Sequence, residues 1–155
     1  MDDRHTAPCG LYCLDCIPSQ REFFQSVRAL RDRLGELRFE HYAELKVRQV
    51  PPLADHSRFL DVLQAIESLE CPAPCRDGGG NPDCLVKACV AERGVRGCWE
   101  CGERESCERL APLLRVHPNL LTHLDLISRH GPIGWLEHRR AHYRWSEPPS
   151  HDKGV

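Results

Sequence analysis

Apolar residues recur at helical spacing in two long stretches of the chain. From Ser19 to Leu37 they return every three or four positions, with Arg and Glu between them. The segment FEHYAELKVRQV keeps this spacing, and so does the stretch from Asp55 to Leu69. We therefore predict three amphipathic helices across 19–69, with their apolar faces in the core.

Residues at the boundaries support this division. Ser19 is the expected N-cap of the first helix, and Gly35 lies near its expected end. Pro51 and Pro52 should end the second helix, because the residue before a proline is pushed out of the α region. Asp55 or Ser57 would cap the third.

A second helical region is predicted over 108–145. Asn119 should cap a helix there, and the Gly131-Pro132 pair should end that helix and start a last one, over 132–145. Alternating β-branched strands are almost absent. The expected fold class is mostly α: a small helical domain with a cysteine-rich loop region stapled by metal. We expect one domain over 1–146 and a disordered tail at 147–155.

Ten cysteines change this picture, because they fall into two blocks, 9–16 and 71–107. The first block, CGLYCLDC, holds Cys9, Cys13 and Cys16 in C-x3-C-x2-C spacing. The second holds the other seven, namely Cys71, Cys75, Cys84, Cys89, Cys98, Cys101 and Cys107. All ten are candidate metal ligands.

Local spacing gives some of these cysteines a specific interpretation. In CPAPC the prolines exclude a regular helix, so Cys71 and Cys75 should extend from a loop, and RDGGGNPD after it should be a mobile surface loop. The motif Cys98-x2-Cys101, followed by Gly102, is typical of a metal knuckle, with the glycine relieving a tight corner.

The remaining second-block cysteines are expected at helix positions. Asp83 should cap a short helix that Gly94 ends. Cys84 and Cys89 would then lie about 140° apart around its axis. Either Cys84 reaches in from the first turn, or the two serve different sites. Cys107 should lie where the next helix starts, with its thiolate favoured by the helix dipole.

Composition favours metal over disulfides. The N-terminus MDDRHTAPCG lacks the features of a signal peptide, and no stretch approaches 18 apolar residues, so we expect a cytoplasmic protein without a membrane partner. Thiols stay reduced in the cytoplasm, where clustered cysteines hold metal more often than they form disulfides. The three front cysteines cannot close a tetrahedral site alone, so we expect them beside the Cys98 to Cys107 segment.

Three functions remain open at this point. The first is a zinc-binding protein with a mainly structural metal, acting as a regulatory or protein-interaction module. The second is an iron–sulfur protein for electron transfer or redox sensing, because thiolates also ligate such clusters. The third is an enzyme with an open zinc site or a low-pKa cysteine, although no Cys-His-Asp or His-Glu motif supplies catalytic residues. A net charge of −2 gives no reason to expect nucleic acid as a partner.

The ordered set of motifs resembles the DUF3795 family, small bacterial and archaeal proteins thought to bind zinc. The matching pieces are CGLYCLDC, CPAPCRDGGG, CLVKACVAERGVRGCWEC with Cys107 behind it, and GWLEHRRAHYRW. The chain departs from the family in the C-x3-C spacing of Cys71 and Cys75 and in lacking a further cysteine pair after the last helix. The resemblance implies zinc binding and brings no catalytic residues.

Overall fold

The computed structural model describes residues 3–139. Within them are six α-helices: α1 (Arg21–Glu36), α2 (Phe39–Lys46), α3 (His56–Glu67), α4 (Leu85–Arg93), α5 (Ala111–Val116) and α6 (Leu120–Gly134). No strand forms in this part of the chain; Thr6 and Tyr12 make an isolated β-bridge. The mostly α fold class is therefore confirmed. The predicted disordered tail, 147–155, lies outside the described residues.

These residues group into two compact units, each taken here by itself. One comprises residues 17–71 and is called the three-helix unit. The other combines the N-terminal segment to Cys16 with the chain from Pro72 onward, and is called the cysteine-rich unit. The single domain expected over 1–146 stays a prediction.

In the three-helix unit, α1 packs against α3, the ion pair of Arg31 with Glu67 links them, and Arg28 pairs with Glu70 just after α3. The helix boundaries differ from those predicted. Ser19 lies in a short 3-10 turn, and Gln20 is the N-cap.

The break between α1 and α2 lies near Gly35, as predicted, but the glycine is not the residue that makes it. It falls at Arg38, whose φ of 50° places it in the left-handed region, while Gly35 lies inside α1. The reversal of the chain, and not the glycine, ends the helix.

The apolar stripes of this unit are only partly buried. Its buried apolar residues are Phe24, Val27, Ala43 and Leu63. Several stripe residues predicted to face a core are 43% to 60% exposed, namely Phe23, Leu30, Leu37, Phe59 and Leu69. A unit of this size has too little interior to cover every residue of three amphipathic helices.

The cysteine-rich unit has a deeper core, centred on α6 and on the fully buried Trp135. Trp135 Nε1 donates a hydrogen bond to Thr6 Oγ1 at 3.1 Å, and Thr6 Oγ1 donates to the Pro132 carbonyl at 2.7 Å. Because Thr6 is itself 1% exposed, this chain of hydrogen bonds ties the start of the sequence to the end of the described chain inside the core.

The C-terminal part of α6 and the residues after it differ from the predicted last helix. Gly131 breaks the helix with a φ of 75°, as expected, and Pro132 starts a new turn. That turn passes into a 3-10 turn at Trp135–Glu137 and does not continue as an α-helix there. Arg139, the last described residue, pairs with Asp15 at 2.8 Å.

No helix in residues 3–139 is both long enough and apolar enough to cross a membrane.

Candidate metal centre

Four cysteines line one cleft of about 400 Å³ in the cysteine-rich unit. They are Cys89, Cys98, Cys101 and Cys107, called the cleft cysteines. Cys89 projects from α4, Cys98 starts a 3-10 turn, and the Cys101 N–H closes that turn on the Cys98 carbonyl at 3.1 Å. Helix α4, the 3-10 turn and the loop that carries Cys107 thus place four cysteines around one cleft.

The backbone of the knuckle depends on a glycine that the spacing did not indicate. A Cβ on Gly97 would lie 2.2 Å from the ring of Trp99, which is 4% exposed. A Cβ on Gly102 would meet nothing within 4 Å, and Gly102 has no positive φ. The glycine required for space is therefore Gly97, and the corner role predicted for Gly102 is wrong.

The position of Cys107 also differs from the prediction. The helix expected to start there, α5, begins at Ala111, and Cys107 follows a 3-10 turn at Arg104–Ser106. The Cys107 carbonyl accepts the N–H groups of Leu110 and Ala111 at 3.0 and 3.2 Å. Its thiol is presented by a loop, so the helix dipole does not act on it as expected.

The raised pKa of Cys98 reflects burial and the other thiols that lie near it. Burial, followed by the neighbouring thiols of Cys9, Cys107, Cys101 and Cys89, raises the pKa of Cys98 to about 12. Each thiolate would repel the others in this setting. A metal cation bound between the thiolates would offset that repulsion.

The thiols around the front block also influence one another's pKa, and we call four of them the front thiol group: Cys9, Cys13, Cys75 and Cys84. The Cys75 thiol donates a hydrogen bond to the Cys13 sulfur. Together with the Cys75 N–H and the charge of Arg76, it lowers the pKa of Cys13 to about 6, against the effect of burial. Burial, with added repulsion from Cys84 and Cys13, raises the pKa of Cys9 to about 11.

The triple-glycine segment packs over this group. A Cβ on Gly79 would lie 1.6 Å from the Ala73 carbonyl oxygen, and one on Gly80 would lie 2.7 Å from Cys75 Sγ. The Gly79 N–H donates to the Pro74 carbonyl at 3.0 Å. In the segment predicted as a mobile surface loop, Gly79 and Gly80 lie against Ala73 and Cys75 where only glycine fits, whereas Gly78 and residues 81–83 are exposed as predicted.

The two cysteines around α4 belong to different groups. Cys84, and not Asp83, occupies the N-cap position of α4, while Cys89 lies inside the helix. Gly94 ends the helix as predicted, with a φ of 64°. Cys89 lines the cleft and Cys84 does not, and the metal site of each stays a prediction.

Cys9 lies between the two groups. The Cys98 N–H donates to the Pro8 carbonyl at 2.8 Å, so the front block lies beside the knuckle. Cys9 is also the first of the thiols that raise the pKa of Cys98. It does not line the cleft, however, and the thiols that raise its own pKa are Cys84 and Cys13. We therefore count it with the front thiol group.

Cys16 and Cys71 do not line the cleft. The Cys16 N–H donates to the Cys13 carbonyl at 3.0 Å. The Cys71 N–H donates to the Pro18 carbonyl at 2.8 Å within the three-helix unit. None of the ten cysteines forms a disulfide.

Arg93 is a residue of this site that sequence reasoning missed. Its Nη1 lies 3.4 Å from Cys101 Sγ, and its Nη2 lies 2.8 Å from Glu103 Oε2. It ends α4 four residues after Cys89, on the same helix face. That spacing was the available signal.

The cleft cysteines are of the donor type that binds zinc, but their side chains are not gathered around one point. In residues 3–139 as placed, no three His, Cys, Asp or Glu side chains are drawn close enough together to hold an ion. Zinc–sulfur bonds are about 2.3 Å long, so binding would bring the ligand sulfurs to within roughly 4 Å of one another. Four thiols on one cleft match the ligand number of a closed zinc site.

Comparison with protein families gives one match. The profile of a family described as "Protein of unknown function (DUF3795)" matches residues 5–112. The match covers both cysteine blocks. No curated protein and no solved structure matched the chain.

Proposed function

Because the chain belongs to the DUF3795 family, whose function is unknown, we propose from its site that it is a zinc-binding protein with a mainly structural metal. The observation that carries this proposal is the placement of four cysteines on the walls of one cleft. A catalytic zinc keeps one position open for water, whereas four thiolates close the coordination shell.

The surrounding structure supports a structural role for the metal. The segment from Cys89 to Cys107 begins in the last residues of α4 and then contains only two 3-10 turns. Few regular backbone hydrogen bonds therefore stabilise it. Ordering each residue costs about 1 to 2 kcal/mol, and few large apolar side chains lie in this segment to offset it. A structural zinc contributes on the order of 10 kcal/mol to folding.

The front thiol group is the second proposed zinc site. It also offers four thiols, and its Cys13 and Cys75 are already in hydrogen-bond contact. Zinc must displace the remaining protons there, since thiolates and not thiols are its ligands. Cys16 and Cys71 are left as the two cysteines beyond these eight.

We also place the protein in the cytoplasm as part of this proposal. Ten free thiols persist in a reducing compartment and would be oxidised or paired outside it.

The test is metal analysis followed by chelation. Anaerobically purified protein should be colourless and contain zinc, about two per chain if both groups bind. Titration with a strong chelator should release the zinc, change the emission of Trp99 and open Arg93 and Arg96 to trypsin. Both arginines are paired in the folded unit, with Glu103 and Glu100.

Arg28 and Arg31 are the matched control for cleavage, since each is paired with a glutamate in the three-helix unit. They should stay protected during chelation. If zinc leaves while Arg93 and Arg96 remain protected, the metal is not structural. Iron with broad visible absorption would favour the iron–sulfur alternative instead.

A further inference from the structure

The guanidinium of Arg93 joins a cleft cysteine to a carboxylate. One nitrogen donates to Cys101 Sγ at 3.4 Å and the other donates to Glu103 Oε2 at 2.8 Å. The side chains of Arg93 and Glu103 are 49% and 71% exposed. The contact therefore lies where reagents in solution can reach the thiols.

The other two arginines of the cleft are held differently. Arg104 donates to the Trp99 carbonyl at 3.1 Å and pairs with Asp125. Arg109 lies 3.9 Å from Glu92. Arg93 is thus the cleft arginine with a hydrogen bond to a cysteine sulfur among the described residues.

A hydrogen bond of this kind has a specific effect on a metal-bound thiolate. A zinc ion with four thiolates carries a net charge of about −2, and the most electron-rich sulfur reacts first with electrophiles. A cationic donor withdraws electron density from the sulfur that it contacts. The planar fork of arginine fixes this donor while its other nitrogen is held by Glu103.

We propose that Arg93 is a positioning residue of the cleft-cysteine centre, which shields Cys101 from electrophiles and slows release of the metal. Glu103 orients it. This inference rests on the proposed function and adds a control over how readily the centre loses zinc.

The experiment compares zinc release from the wild-type chain with release from Arg93→Gln, Arg93→Lys, Glu103→Gln and the control Arg109→Gln. Each zinc-loaded protein is treated with limiting iodoacetamide beside a chromogenic zinc indicator. The cysteine sulfur forms a bond to the reagent carbon, iodide leaves, and the alkylated sulfur no longer holds zinc as a thiolate. Mass spectrometry identifies which cysteine is alkylated first.

Arg93→Gln should speed release about tenfold, the lower end of the effect of losing a partner of a metal ligand. Cys101 should become the first alkylated cysteine. Arg93→Lys should restore part of the protection, because it keeps the charge but not the fork. Glu103→Gln should be intermediate, and Arg109→Gln should match the wild type.

Two outcomes would overturn the inference alone, with the wild type holding zinc. One is equal release from Arg93→Gln and Arg109→Gln. The other is faster alkylation of all four cleft cysteines equally, which would indicate general loosening of the fold. A wild-type chain that binds no zinc would overturn the proposed function as well, and the zinc content of that sample separates the two cases.

Discussion

The two units of this chain stabilise themselves in different ways. The three-helix unit consists mainly of long helices, yet its buried apolar residues are Phe24, Val27, Ala43 and Leu63. The cysteine-rich unit has the short helices α4 and α5, a kinked α6 and many turns, but its core includes Trp135, Leu120 and Leu124 at 0% exposure. Helix content and depth of core are therefore separate properties in this protein.

The difference lies in where the contacts come from. Helices α1 to α3 are neighbours in sequence, and the described ion pairs between α1 and the end of α3 lie near the surface. The cysteine-rich unit instead joins residues far apart in sequence, as in the hydrogen bond from Trp135 to Thr6. A unit built on such contacts gains most from cross-links, and the proposed thiolate–metal sites would provide them.

The largest expected effect is the loss of a cleft ligand. Cys98→Ser should remove zinc from the cleft and lower the free energy of unfolding of the cysteine-rich unit by about 4 kcal/mol or more, because loss of a metal is among the most damaging changes. The measurement is denaturant unfolding followed by tryptophan fluorescence. That signal is specific, since residues 17–71 contain no tryptophan.

Cys71→Ser is the control for this change. Cys71 does not line the cleft, and its recorded hydrogen bond is made by the backbone, so the variant should keep its zinc and its stability. An equal loss of zinc from both variants would make Cys71 a ligand and weaken the division between the two units.

The next effect concerns the apolar core of the cysteine-rich unit. Trp135→Ala should lower the free energy of unfolding by about 3 to 5 kcal/mol, because it leaves a large cavity. Trp135→Phe should cost less, since it keeps most of the packing and loses the hydrogen bond to Thr6. Thermal unfolding of both variants with zinc bound would check this order. A cost of under about 1 kcal/mol for Trp135→Ala would mean that metal alone holds the unit.

A smaller effect separates the two glycines of the knuckle. Gly97→Ala should lower the free energy of unfolding by about 1 to 3 kcal/mol, because its Cβ would overlap the Trp99 ring. Gly102→Ala meets open space and should change it by at most a few tenths of a kcal/mol. Chemical denaturation of the two variants gives the comparison. A larger cost at Gly102 would restore the corner role that the C-x2-C-G pattern predicted.

The smallest expected effect is stabilising and lies in the three-helix unit. Gly35→Ala replaces a glycine inside α1 where a Cβ meets nothing within 4 Å. It should raise the free energy of unfolding by about 0.5 to 1 kcal/mol, since alanine loses less backbone entropy in a helix. Far-UV circular dichroism during urea unfolding would measure it. No gain would indicate that this helix end is already frayed.

The sequence by itself determined the fold class and the helices α1 to α4. Spacing of apolar residues is a local property, so it predicted α1 to α3 within a few residues, and Gly94 and Gly131 ended their helices as expected. The likeness to the DUF3795 family was also readable from ordered motifs and is confirmed over 5–112. Each of these features is read from short motifs, and the residues within one motif are close together in the chain.

Only the tertiary structure decided which cysteines share a surface. Cys84 and Cys89 lie five positions apart, yet they belong to different groups because one caps α4 and the other faces the cleft. The loop that follows α4 brings Cys101 within reach of Arg93. In the same loop, Gly97 leaves space for the ring of Trp99. Spacing sets only the reach of a residue, and the direction in which its side chain points depends on how the whole unit packs.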